Sequence, residues 1–272
     1  MTSKTTGSTP PDNLRPQQQT MPSVNTVTAD DIKASLKAGF SDFLARPFMS
    51  GFFGLFYAVF GILFVWTLVS LNAIWMLLPA AVAFPLFAPF AAAGLYEMSR
   101  RLQAKEPFGW SEILTVMVRQ RKREMGWMAF VTLFILWVWF YQFRTVLVIV
   151  LQDSSFSDLD GFLNVVFFTP EGWIFLAIGT CVGALLSAVL FTVTVVAMPM
   201  LLDRDMDFIS AMLTSIRVVT QNPVVMLGWA AIITITLLLS LVPAFLGLVF
   251  TLPILGHTTW HLYKRAVSPA AG

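Results

Sequence analysis

Long apolar stretches dominate the chain, and short polar or amphipathic segments separate them. Each apolar stretch has about 20 residues, the length that crosses a hydrocarbon core as an α-helix. Strands of a membrane barrel would alternate apolar and polar residues, and these stretches do not. The pattern predicts an all-α membrane protein with six transmembrane helices, over residues 48–69, 73–98, 127–151, 173–200, 224–241 and 244–263.

Both ends of the chain are polar. Residues 1–28 are rich in Ser, Thr, Pro and Gln and have almost no large apolar side chains, so we expect a disordered N-terminal tail. The six-span membrane domain takes residues 29–266, and residues 267–272 form a short C-terminal tail.

Amphipathic segments precede the first, third and fifth predicted spans. The first of them has four apolar residues on one helical face: Ile32, Leu36, Phe40 and Phe43. The same spacing returns at a constant offset of 176 positions, counted from 32 to 208: Phe208, Met212, Ile216 and Val219. We therefore predict three hairpins, each preceded by an amphipathic cytosolic surface helix, as a pseudo-three-fold repeat.

Acidic residues stand where these surface helices begin. Asp31 precedes the first apolar face, and Asp205 and Asp207 precede the third. A carboxylate at a helix N-terminus accepts hydrogen bonds from free N–H groups and favours the helix dipole. Alternate carboxylates in a loop could also hold a divalent cation. We favour helix capping, because acids occupy the same position ahead of each surface helix.

The distribution of charge predicts the orientation. Charged residues make up only 12% of the chain and apolar residues 57%, and the net charge of +2 implies no general affinity for nucleic acid. All Lys and Arg residues except Arg144 lie on the side that holds both termini. Short basic loops stay in the cytoplasm, so we expect a multi-pass bacterial inner (plasma) membrane protein with both termini cytoplasmic.

A basic run lies beside the apolar half of the second surface helix: Arg119, Arg121, Lys122 and Arg123. Each base near an anionic membrane surface contributes about 1 kcal/mol of attraction. The run is therefore a candidate site for anionic lipid head groups of the surrounding bilayer. It also serves as a topology signal, and the two roles are compatible.

His257 and His261 are the only histidines, and their spacing places both on one face of a helix. They could share a metal or offer axial nitrogens to a haem, but a closed metal site would need carboxylates or a second subunit as well. Histidine beside Trp260 is also typical of a membrane interface. We favour the interfacial role and expect no cofactor.

Three motifs carry a resemblance to a known family: Gly94-Leu95-Tyr96-Glu97-x-Ser99-Arg100-Arg101, Asp203-Arg204-Asp205-x-Asp207-Phe208 and Gly256-His257-x-x-Trp260-His261. The chain resembles the predicted integral membrane proteins of proteobacteria classed as domain of unknown function 2189. The resemblance implies a bacterial inner-membrane protein and brings no catalytic residues.

The sequence contains no nucleophile elbow, phosphate loop or HExxH motif, so we expect a non-enzymatic protein. The leading hypothesis is a membrane scaffold or a platform that binds lipid, a protein partner or a second copy of the chain. The alternative is a passive channel or transporter for a small or amphipathic molecule. A third hypothesis is a haem- or metal-binding membrane subunit that uses His257 and His261.

Overall fold

The computed structural model describes residues 22–71, 77–121, 124–151 and 159–268. Eleven α-helices form most of this part of the chain: α1 (Ala29–Ala45), α2 (Pro47–Leu71), α3 (Leu77–Ala104), α4 (Trp110–Arg121), α5 (Glu124–Val150), α6 (Leu159–Phe168), α7 (Pro170–Thr194), α8 (Ala197–Asp203), α9 (Phe208–Gln221), α10 (Pro223–Leu241) and α11 (Leu248–Ala266). No strand occurs within the described ranges, so the all-helical prediction is confirmed there.

Four helical stretches of the described chain are long and apolar enough to cross a membrane: Pro47–Thr67, Gly126–Val150, Pro170–Asp203 and Pro223–Leu241. They correspond to the first, third, fourth and fifth predicted spans. The second predicted span, 73–98, falls partly on residues 72–76, which lie outside the described ranges. The structure therefore supports four candidate spans, and neither six spans nor a three-hairpin repeat.

The sixth predicted span, 244–263, is not a candidate membrane span. Ala244 and Phe245 have positive φ values of 49° and 65°, so the chain turns there, and α11 begins only at Leu248. From His257 onward α11 carries many polar side chains, which shortens its apolar part below the length that a bilayer requires. The sixth span is therefore not supported, and several of these polar residues, among them His257, Thr258 and Thr259, are buried within the protein.

Helix α11 is the centre of the packed core and contacts α1, α2 and α3. Two glycines allow close approach. A Cβ on Gly39 of α1 would lie 2.6 Å from the backbone nitrogen of Thr258, and one on Gly54 of α2 would lie 2.6 Å from Cα of Val249. Real Cβ atoms do not come so near, so larger residues at these positions would push the helices apart.

The fourth predicted span, 173–200, ends earlier than its composition suggests. Helix α7 stops at Thr194, and the short helix α8 follows after a break. Met198, Met200 and Leu201 of α8 are buried, and α8 contacts α3 and α9. The last apolar residues of this stretch therefore belong to the protein core, although they continue the span in sequence.

The two ends of the described chain meet. Val24 pairs with Val267 in an isolated antiparallel bridge, and the Asn25 N–H donates to the Ala266 carbonyl at 2.9 Å. Val27 is buried, and its N–H donates to Asn222. Residues 22–28, which we had assigned to the N-terminal tail, thus pack on the core, and residues 1–21 lie outside the described ranges. Both ends lie on the same side of the helices.

Burial is concentrated at one end of the spans. In the candidate span that α5 forms, only 6% of the most apolar 18 residues are buried within the protein, and the same fraction holds for the span that begins with α7. In contrast, α8 and the C-terminal half of α11 are almost entirely buried. We call this buried end of the protein the platform. It consists of α1, α4, α8, α9 and α11, together with the first turns of α2 and the last turns of α3.

Candidate functional site

His257 lies in the core of the platform, fully buried between α2 and α3. Its Nε2 is 3.0 Å from the Ser50 hydroxyl, and its Nδ1 is 2.7 Å from the Ser99 hydroxyl. Burial lowers the pKa of His257 to about 4. The ring is therefore neutral, so one nitrogen donates to one serine and the other accepts from the second. The histidine joins three helices by hydrogen bonds.

His261 has a different partner. Its Nε2 lies 2.7 Å from a carboxylate oxygen of Asp42, which connects α11 to α1. Both side chains are mostly buried. The two histidines are thus each engaged by their own neighbours, on different helices. No group of three or more His, Cys, Asp or Glu residues that could hold a metal occurs in the part of the chain that the structure describes.

A buried carboxylate lies near the end of α3. Glu97 is 3% exposed and receives two hydrogen bonds from the Arg100 guanidinium, at 2.7 and 2.8 Å, and one from Arg101. A buried charge is tolerated only when it is paired and hydrogen-bonded in this way. The charged segment that follows the apolar part of α3 is therefore held within the platform.

Two of the three predicted capping acids, Asp31 and Asp207, lie at helix N-termini. Asp31 accepts from the Thr28 hydroxyl and from the Thr28 N–H, and these bonds hold its pKa below its usual range. Asp207 accepts from the Ser210 N–H, at the first turn of α9, and its pKa is lowered for the same reason. Asp205 stands two residues earlier, ahead of the helix.

Helix α4 has two apolar faces. Ile113 is fully buried, and Met117 packs on the core beside it. Trp110, Leu114 and Val118 recur every four residues on the neighbouring face, and all three are exposed. We call these three residues the α4 stripe. The Trp110 ring also meets Phe52 of α2 at 5.0 Å between centroids, so the stripe continues onto the apolar surface of a span.

Helices α1 and α9 repeat this arrangement. On α1, Ile32 and Phe43 are buried against the core, whereas Phe40 and Leu44 are about half exposed. Phe40 had been predicted to share the face of the buried residues, and it lies on the other one. On α9 the exposed apolar residues are Ile209 and Leu213. The predicted surface helices therefore each use one face for the core and leave apolar side chains on a second.

The predicted basic run lies where the structure does not describe side chains. Arg119 and Arg121 belong to the last turn of α4, while Lys122 and Arg123 lie outside the described residues. The run follows the α4 stripe directly in sequence, since Arg119 comes next after Val118.

Sequence analysis missed the partners of the histidines. Ser50, Ser99 and Asp42 come from three helices that are distant in sequence, so no spacing rule connects them to α11. A partial signal exists for Asp42, because it is an isolated acid in the apolar second half of α1. Thr28, the capping residue of α1, was overlooked in favour of the acids that follow it.

Comparison with known families gives one match. Residues 76–203 match the model of a family described as predicted integral membrane protein (DUF2189), and the matched segment extends from the start of α3 to the end of α8. This confirms the resemblance, without bearing on the proteobacterial source. Neither the curated proteins nor the solved structures compared with the chain gave a match.

Proposed function

We propose that the chain is a non-enzymatic inner-membrane scaffold, and the match of residues 76–203 to a family of predicted integral membrane proteins supports its place in a membrane. Its platform would rest on the cytosolic leaflet through α1, α4 and α9. The proposal depends above all on one observation, the exposed α4 stripe on a helix whose neighbouring apolar face is already buried.

Exposed apolar residues at regular helical spacing indicate contact with an apolar partner. The nearest apolar medium is the bilayer, since α4 precedes the candidate span Gly126–Val150 and α9 precedes Pro223–Leu241. Helix α1 fits the same picture. Its exposed face has Lys33 and Lys37 in the first half and Phe40 and Leu44 in the second, so its second half would dip into the head-group layer before Pro47 starts the span.

Charge supports the choice of side. The basic run after α4 would meet anionic head groups of the same leaflet, and a leaflet with anionic lipids attracts such segments. The contact between Val24 and Val267 supports a common side for both ends of the chain. The positive-inside rule assigns that side to the cytoplasm. Protein partners or a second copy could then bind the exposed polar face of the platform.

Depth measurements on the full chain test this proposal. A nitroxide label at Leu114, in a Cys181→Ser background reconstituted into liposomes, should collide more with oxygen than with a water-soluble nickel chelate. Thr115 is the matched control, because it is exposed, adjacent and on the polar face of the same helix. A label there should favour the nickel chelate. Equal preference for the chelate at both positions would refute insertion of the α4 stripe.

The passive channel or transporter remains a second proposal. It is supported by a cleft between three of the spans, described below, in which an amphipathic molecule could bind. The haem or metal hypothesis has no comparable observation in its support.

A further inference from the structure

Three spans leave a cleft of about 870 Å³ between them. Helix α5 contributes Trp139 to Val146, α10 contributes Ala230 to Leu237, and α7 contributes most of its length from Phe175 to Thr194. The volume falls in the range of small-molecule sites, roughly 300–1,000 Å³. The small residues of α7, which are expected to pack tightly against another helix, face this cleft instead. A Cβ on Gly179 would meet no atom within 4 Å.

Polar groups line this apolar cleft without a hydrogen-bond partner in the described chain. They are the Trp139 indole, the Gln142 amide, and the hydroxyls of Thr180 and Ser187. The Trp139 Nε1 faces α7, because it lies 3.4 Å from the place that a Cβ on Gly183 would take. The other threonines of the cleft, Thr194 and Thr234, donate to carbonyls of their own helices.

The depth of these donors decides which acceptor can reach them. Trp139 lies near the middle of the span Gly126–Val150, about 20 Å from one end and about 16 Å from the other at 1.5 Å per residue. Gln142 lies about 12 Å from the Val150 end. The hydrocarbon core offers no acceptor at such depths, and an unsatisfied polar group there is costly. The ester groups of phospholipids stay near the surface of that core.

We propose that the cleft binds an isoprenoid quinone. Its carbonyl oxygens would accept from the Trp139 indole and the Gln142 amide, both within the hydrocarbon layer. Its apolar tail would lie along the surface of α7 that Gly179 and Gly183 leave open. The proposal concerns binding only, and it is independent of the platform, since the cleft and the α4 stripe share no residue.

Aromatic side chains beside the donors fit a planar head group. The Trp139 and Phe143 rings lie 5.9 Å apart, and Phe143 meets Phe175 of α7 edge to face at 5.5 Å. Such rings offer flat apolar surface to a planar ligand. A phospholipid acyl chain could occupy the same volume, but it would leave both donors unpaired.

The test uses a photoreactive azido-quinone and the full chain in lipid nanodiscs. The labelled peptides should come from α5, α7 and α10. The double variant Gly179→Leu, Gly183→Leu fills the cleft and should lower labelling about tenfold or more, the change expected when the ligand can no longer bury about two of its methylene groups. Gly228→Leu is the matched control, because a Cβ there also meets open space while Gly228 lies outside the cleft. Its labelling should not change.

A second pair of measurements separates quinone from other occupants. Trp139→Phe with Gln142→Leu keeps the cleft apolar and removes the donors, so it should weaken competition by unlabelled quinone about tenfold, as expected for the loss of two hydrogen bonds. Equal competition by quinone and by phospholipid would overturn the proposal in favour of a plain acyl-chain site. The proposal would also be overturned if Gly228→Leu reduced labelling as much as the cleft variant does. Cross-linking of α7 to α7 of a second copy would overturn it too, because a second copy would then fill the cleft.

Discussion

Acid should destabilise the protein through His257. The ring is buried and neutral in the folded state with a pKa of about 4, against 6.5 for an exposed histidine. Below pH 6.5 the histidine of the unfolded chain therefore binds a proton, whereas that of the folded protein does not. The free energy of unfolding consequently falls as pH decreases. The loss is complete below the folded pKa and amounts to about 3 kcal/mol, of which about 2 kcal/mol is lost by pH 5. Burial is the main cause of the lowered pKa, while the charge of Asp42 raises the pKa of the ring and that of His261 lowers it.

Unfolding in mixed detergent micelles at pH 7.5, 6 and 5, followed by tryptophan fluorescence, measures this slope. Trp260 reports on the site directly, because it is fully buried on α11 and stacks with Tyr96 of α3. His257→Gln keeps hydrogen-bonding groups but cannot titrate, so most of the slope between pH 7.5 and 5 should vanish. His261→Gln, the matched control, leaves His257 in place and should retain it. An unchanged slope in His257→Gln would refute the reasoning.

Two further predictions concern packing and topology. Gly39→Ala should destabilise the protein by about 1–3 kcal/mol, because the added methyl would meet the backbone of Thr258, whereas Gly228→Ala, in open space, should be neutral or stabilising in the same unfolding assay. Single cysteines that replace Ser111, Ser210 and Ser268 should react with an impermeant reagent added from the cytoplasmic side. A cysteine at Ser155 should react from the opposite side. Labelling at Ser111 from that opposite side would overturn the predicted orientation.

Composition and run length were enough to predict the apolar spans. Residues 127–151 and 224–241 nearly coincide with two candidate spans, because an unbroken apolar run of that length has few alternatives. The breaks within longer runs were predicted less well. Thr194 ends α7 although apolar residues continue to Leu202, since α8 finds its apolar surroundings within the protein. Hydropathy does not distinguish lipid from a protein core as the apolar environment.

The cleft could not be predicted for a related reason. Gly179 and Gly183 have the spacing of a tight helix contact, and the sequence does not tell whether a helix or an open space faces them. The hydrogen bonds of His257 with Ser50 and Ser99 could not be predicted from the sequence either. It depends on the approach of α2 and α3 to α11, and a single sequence contains no record of such distances.

The platform joins parts of the chain on both sides of the family match. Ser99 lies inside residues 76–203, whereas its partner His257 and the second serine, Ser50, lie outside. Met200 of α8 is likewise fully buried in a cluster that includes Trp260 and Leu262 of α11. Without α1, α2 and α11 the matched segment would expose these apolar and polar residues together. The matched region therefore contributes to two clusters of buried residues that α1, α2 and α11 complete.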